Sequence, residues 1–129
     1  MKKGLEIASI SILALGLIIS QGYGFQKNGS FHHGIDIAIP AGQLIVTKIP
    51  GTVIKAGNYG VYGLTVIIDH GNGFQTLYAH NNKILVKEGD KVMSGQAISL
   101  TGNTGKSTGS HIHFEVRQNG KAIDPNTIK

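Results

Sequence analysis

The chain has 129 residues, no cysteine and a formal net charge of +5. That length fits one domain and suffices to bury a core, so neither a disulfide framework nor a structural metal is needed to hold it together. Without cysteine, the sequence excludes a thiol nucleophile, a cysteine zinc finger and a lipid-modified N-terminal cysteine.

The chain opens with Lys2 and Lys3 and then an uncharged stretch from Ile7 to Ser20. A basic start followed by an apolar run reads as a secretory signal peptide, and the run is short of the roughly 20 apolar residues of a spanning helix. Glu6 interrupts the basic start, and Ser20-Gln21-Gly22 is a poor cleavage pattern. The competing reading makes Leu17–Ser20 the buried first strand of the domain. Residues 1–21 are therefore expected to form a signal peptide or N-terminal hydrophobic segment, part of it a strand, with any membrane contact confined to it. Residues 22–129 are expected to form a single folded domain.

From residue 22 onward, short apolar clusters alternate with glycine, proline and asparagine: Ile35–Ile39, Leu44–Ile49, Thr52–Ala56, Leu64–Asp69, Phe74–Ala79, Ile84–Val86, Ala97–Thr101 and Ile112–Val116. This spacing predicts an all-β fold, a mostly antiparallel sandwich or barrel-like sheet. Asn72-Gly73 and Asn119-Gly120 are two-residue hairpin turns. The 19 glycines are roughly twice the usual share of about 7% and follow no Gly-X-Y period, so they belong to turns and loops. The lysines are scattered singly, with no basic run interleaved with aromatics. That argues against a nucleic-acid reader, while the net charge suits an acidic polymer such as a cell wall.

The six histidines carry the chemistry. His111 and His113 lie two apart in an apolar strand, so they share one face, with Ile112 and Phe114 on the other. His32 and Asp36 bracket Gly34 at the entry to another strand. Two imidazoles and a carboxylate suit zinc, and three protein ligands with an open position mark a catalytic site. His32, Asp36 and one of the His111/His113 pair supply the three. The other member of the pair and His80 remain for proton transfer near neutral pH. His33 competes with His32 as a ligand. Asp69-His70 reads as a turn element. Tyr78 alternates to the face of His80 and is a candidate groove residue. Tyr59 and Tyr62 are candidate cleft walls. Glu115 is either a support for His113 or a surface ion pair. The loop Gly102–Gly109 leads into a strand and is no phosphate-binding loop. It is expected to pass close to the site without bulky side chains.

The segments Phe31-His32-His33-Gly34-Ile35-Asp36-Ile37-Ala38, Leu77-Tyr78-Ala79-His80 and Gly109-Ser110-His111-Ile112-His113-Phe114-Glu115-Val116 resemble the lysostaphin/LytM-like zinc endopeptidases. The resemblance runs from about Gly22 to Pro125. It implies one zinc ion per chain held by His32, Asp36 and His113, with His80 and His111 as catalytic histidines beside the metal-bound water. It further implies hydrolysis of peptide bonds in bacterial peptidoglycan by an exported enzyme, and a monomer is expected. The alternative from the same resemblance is a non-catalytic wall-binding or regulatory domain. Members of that kind usually lack one or more of these residues, and none is missing here. Val86 to Ile98 also resembles a half-motif of lipoyl or biotinyl carriers. It lacks the Met-Lys-Met tip, so the similarity is one of hairpin geometry.

Overall fold

The computed structural model describes residues 5–7, 10–12, 18–105 and 109–125, with side chains from Gly22 onward. The described strands are β1 (Leu5–Ile7), β2 (Ile10–Ile12), β3 (Ile18–Gln21), β4 (Gly24–Phe25), β5 (Phe31–His32), β6 (Ile35–Ala38) and β7 (Leu44–Thr47), then β8 (Gly51–Asn58), β9 (Leu64–Gly71), β10 (Phe74–Ile84), β11 (Lys91–Val92), β12 (Ala97–Thr101), β13 (His111–Gln118) and β14 (Lys121–Ile123). Gly60–Tyr62 forms a short 3-10 turn. No helix among the described residues is long and apolar enough to cross a membrane.

The strands form one large antiparallel sheet whose main path runs β1-β2-β7-β12-β10-β13-β6-β3, with β9 and β8 branching from β10. A small second sheet pairs β4 with β5. One apolar cluster joins Ile35 and Ile37 of β6, Ile45 of β7, Val53 of β8, Ile68 of β9 and Ile98 of β12 to Ile112, Phe114 and Val116 of β13. Strands distant in the sheet order thus meet in one core, so the sheet curls on itself. This is the all-β antiparallel fold that the sequence predicts.

Local chemistry explains the turns. Asn72 (φ 55°) and Gly73 (φ 79°) join β9 to β10, and Asn119 (φ 54°) and Gly120 (φ 84°) join β13 to β14. Both pairs take the left-handed backbone that a tight hairpin turn needs. Ile84–Val86 does not form a strand of its own: β10 runs on through Ile84, which pairs with Ser99 of β12. β3 pairs with β6 through Ile18↔Ala38 and Ile19↔Ile37. Much of the apolar segment, residues 8–9 and 13–17, lies outside the described residues, as do residues 106–108 of the Gly102–Gly109 loop.

Candidate metal centre and active site

The site is built first by strand register. β13 lies between β10 and β6, and His113 stands opposite Ala79 on one side and Asp36 on the other. Ile35 and Ile37, like Ile112 and Phe114, turn into the core and are wholly buried. Alternation therefore delivers Asp36, His111, His113 and Glu115 to the opposite face. The small side chain of Ala79 leaves room for the His113 ring beside it. Gly34 is fixed by the same crossing. A Cβ there would overlap the carbonyl oxygen of Phe114, so only glycine lets the chain between His32 and Asp36 lie on β13.

His80 reaches the site by breaking alternation. Its neighbours Leu77 and Ala79 are wholly buried on the site side, and Tyr78 packs on Phe114 in the core. Regular pleating would send His80 away from its partners. Its backbone instead adopts a left-handed φ of 62°, and the register with β9 shifts between Tyr78 and Asn81. This bulge re-aims the ring, whose centroid lies 4.8 Å from that of His111 and 6.2 Å from that of His113. Tyr78 is thus no groove residue: it is fully buried, and its hydroxyl pairs with Thr76.

Donor atoms of His32, Asp36 and His113 lie within 4.8 Å of one another. Asp36 Oδ1 is 2.7 Å from His113 Nδ1, 3.4 Å from His32 Nε2 and 3.7 Å from His111 Nε2. His33 stays outside the cluster: its ring is exposed and packs edge-on against Phe31. Of the two neighbouring histidines, His32 is the one that reaches Asp36.

The outer nitrogens fix the tautomers. His32 Nδ1 donates to the carbonyl of Gly22 (2.8 Å), His111 Nδ1 to that of Gly109 (2.8 Å) and His80 Nδ1 to that of Thr104 (2.7 Å). A carbonyl oxygen only accepts, so in each neutral ring Nδ1 carries the proton and Nε2 keeps its lone pair. His113 is reversed: its Nε2 lies 2.8 Å from Glu115 Oε2, and Nδ1 faces Asp36. Glu115 is 1% exposed, and it also accepts from Tyr62 (2.7 Å) and from Arg117 Nε (2.9 Å). It is both a support for His113 and an ion pair, but a buried one.

Burial opposes charging of Glu115, yet hydrogen bonds from His113 and Tyr62 and the charge of Arg117 prevail and lower its pKa to about 2. Burial also opposes charge on His113, and hydrogen bonds to Asp36 and Glu115 reverse that, raising it to about 9. Asp36 is likewise desolvated, but His113, His32 and His111 hold it below the usual carboxylate range. For His80, burial leads and the charges of His111 and His113 add to it, so its pKa falls despite the Thr104 carbonyl. The fixed charges thus favour cations around Asp36 and a neutral imidazole at His80.

Several supporting groups are not evident in the sequence. Asn81 is buried and donates to the carbonyls of Leu64 and Tyr78, bracing the bulge under His80. Thr104 accepts from the Leu64 N–H and donates to the Asn81 carbonyl, so its loop is locked to the start of β9 and to β10 beneath the same histidine. Arg117 was detectable: it stands two residues beyond Glu115, on the same strand face. Tyr62 lies over His113 with ring centroids 5.6 Å apart, as a cleft wall, and Tyr59 stacks on Tyr62.

The sequence pattern of peptidase family M23 matches residues 30–125, which span the whole cluster. The chain belongs to this family. It is 44% identical over 93 residues to the peptidoglycan DD-endopeptidase ShyA of Vibrio cholerae, covering 72% of this chain and 22% of that protein. It is 40% identical over 108 residues to the murein hydrolase activator NlpD of Salmonella dublin, covering 83% of this chain and 28% of that one. The chain therefore spans less than a third of these two M23 relatives. The catalytic domain of the antimicrobial peptidase lysostaphin from Staphylococcus simulans has the same fold, with a TM-score of 0.75 at 34% identity, covering 84% of this chain and 88% of that one. The resemblance to lysostaphin-like peptidases thus holds in both sequence and fold.

Proposed function

We propose that this M23 chain is a zinc-dependent endopeptidase that hydrolyses peptide bonds in bacterial peptidoglycan. The observation that carries the reading is the set of four histidines around Asp36, each with its outer nitrogen fixed. His32 Nε2, the Asp36 carboxylate and His113 Nδ1 would hold the zinc, since two imidazoles and one carboxylate are ligands this metal takes. Bound there, zinc supplies Lewis acidity that lowers the pKa of water and polarises a carbonyl. His80 and His111 are the catalytic histidines. With Nδ1 committed to a carbonyl, each presents Nε2 as a base, and the same nitrogen, once protonated, donates to a leaving amine or a developing oxyanion. The lowered pKa of His80 keeps it neutral, and so able to accept, at pH 7.

All five residues come from one chain, so the site needs no residue from a second copy, and a monomer is the working unit of this reading. The substrate places the protein outside the cytoplasm, so export is part of the same reading. A regulatory, non-catalytic role is the second reading, favoured by the similarity to NlpD. Dye release from purified cell walls, with and without a chelator, decides between them. Release that the chelator abolishes is expected. No release from any wall type, with zinc bound at about one equivalent, would support the regulatory role instead.

A further inference from the structure

Tyr62 and Glu115 also line a second cleft, of about 610 Å³, that the chemistry above does not use. This is a size that takes a sizeable ligand group. One wall is aromatic. Tyr23 and Phe31 meet edge to face at 5.2 Å, and His33 packs edge-on against Phe31 at 5.2 Å. The lining also carries Arg117 and Lys121. The one acid in the lining is Glu115, and it has nothing to offer a ligand. It is buried, and its oxygens accept from Tyr62, His113 and Arg117. Lys121 is exposed just beyond the Asn119-Gly120 turn, and the Arg117 side chain remains 21% exposed after its bond to Glu115.

The cleft therefore presents Lys121 and the exposed part of the Arg117 guanidinium, which Glu115 already pairs, beside an apolar wall and with no further acid among its lining residues. It complements an anionic group on an apolar stem. We infer that it is a subsite for a carboxylate-bearing residue of the peptide substrate, with the carboxylate at Lys121 and Arg117 and the aliphatic part against Tyr23 and Phe31. The inference rests on the peptide-hydrolase reading and adds a charge requirement to it. Carboxylates pair strongly with ammonium and guanidinium groups in partly shielded clefts. The shared Glu115 puts this subsite one side chain from His113, close enough to act on a residue near the scissile bond.

The test uses the zinc-loaded chain and cross-linked stem-peptide dimers in two forms, one with free carboxylates and one with all of them converted to carboxamides. The acid form is expected to show a KM lower by about tenfold at low salt, with the gap narrowing as salt is added. Lys121→Glu should close the gap by raising KM for the acid form alone, with kcat unchanged, and Lys121→Arg should retain it. Calorimetric binding of single stem peptides, acid and amide, gives a readout that needs no turnover. Tighter binding of the acid peptide, lost in Lys121→Glu, without cleavage of either dimer would keep the subsite and remove the hydrolase reading. Cleavage of both forms with equal KM and equal affinity would overturn the subsite and leave the hydrolase reading intact. Neither binding nor cleavage would overturn the subsite as well.

Discussion

Asp36 and His113 stand opposite each other on regularly paired strands, whereas His80 sits on a strand distorted at that very residue. The first pair inherits its positions from sheet register, and every hydrogen bond of β6 and β13 helps to hold it. His80 depends on a left-handed backbone, on Asn81 beneath the bulge and on Thr104 from a glycine-rich loop. The difference teaches that the proposed metal ligands and the proposed proton-transfer group are held by physically separate means within one small site. Rigid strands suit ligands whose mutual distances must not change. A loop-braced histidine is set independently and can be disturbed independently.

The sharpest way to break the comparison is to remove the strand-held half. His113→Ala or Asp36→Asn should abolish wall hydrolysis, and zinc content should fall below about a tenth of an equivalent. His80→Ala should lower kcat by about 10²–10⁴ with zinc content unchanged. Loss of zinc in the His80 variant would show that the two halves are not separable. Glu115→Gln keeps the shape but weakens the hold on His113, and it should cost about 10–100-fold in zinc affinity by competition with a chelating dye. Unchanged affinity would mean that strand register alone orients the His113 ring.

The strand-held half was the legible one. His111-Ile112-His113-Phe114-Glu115 declares its own face by alternation, and Ile35-Asp36-Ile37 does the same, so burial of the isoleucines obliges the acid to face the histidines. The same rule misplaced Tyr78, because two-residue alternation assumes an undistorted strand and the bulge at His80 cancels it. No local signal announces that bulge. His80 is neither glycine nor asparagine, and its left-handed backbone is braced by the neighbouring Asn81 and by two distant residues, Leu64 and Thr104. His33 could not be separated from His32 by residue type. The crossing of Gly34 over Phe114 decides between them, and that is a tertiary fact.

Gly63 offers a finer cut at the loop-held half. It has φ 68°, and a Cβ there would press on the backbone of Thr104. Gly63→Ala should therefore destabilise the protein by about 1–3 kcal/mol through strain and forced displacement. Because Thr104 carries the acceptor for His80, the same change should lower kcat while zinc content stays at that of the wild type. Urea unfolding and metal analysis on one preparation check both parts. A loss of zinc would show that the strain spreads to β6 and β13.

The smallest expected effect concerns His70, a histidine outside the candidate site with both ring nitrogens engaged. Its Nδ1 donates to the carbonyl of Pro50 at 2.9 Å, and its Nε2 pairs with Thr76 Oγ1 at 2.8 Å. In the neutral ring Nε2 accepts from Thr76, whose oxygen can then accept from Tyr78. A second proton on His70 would force Thr76 to reverse its hydrogen bond. Burial, only partly offset by Pro50 and Asp69, lowers the pKa of His70 below 6.5. As pH falls below 6.5, the unfolded chain takes up a proton that the folded chain resists. The contribution of His70 to stability is therefore complete above pH 6.5 and declines as pH falls towards the lower folded-state value. His113 titrates in the opposite sense, so the effect is isolated by comparing wild type with His70→Gln rather than by following wild type alone. The stability difference between the two, from urea unfolding at pH 7.5 and at pH 5.5, should shrink at the lower pH. A difference that stays constant would show that His70 is not held neutral by its two partners.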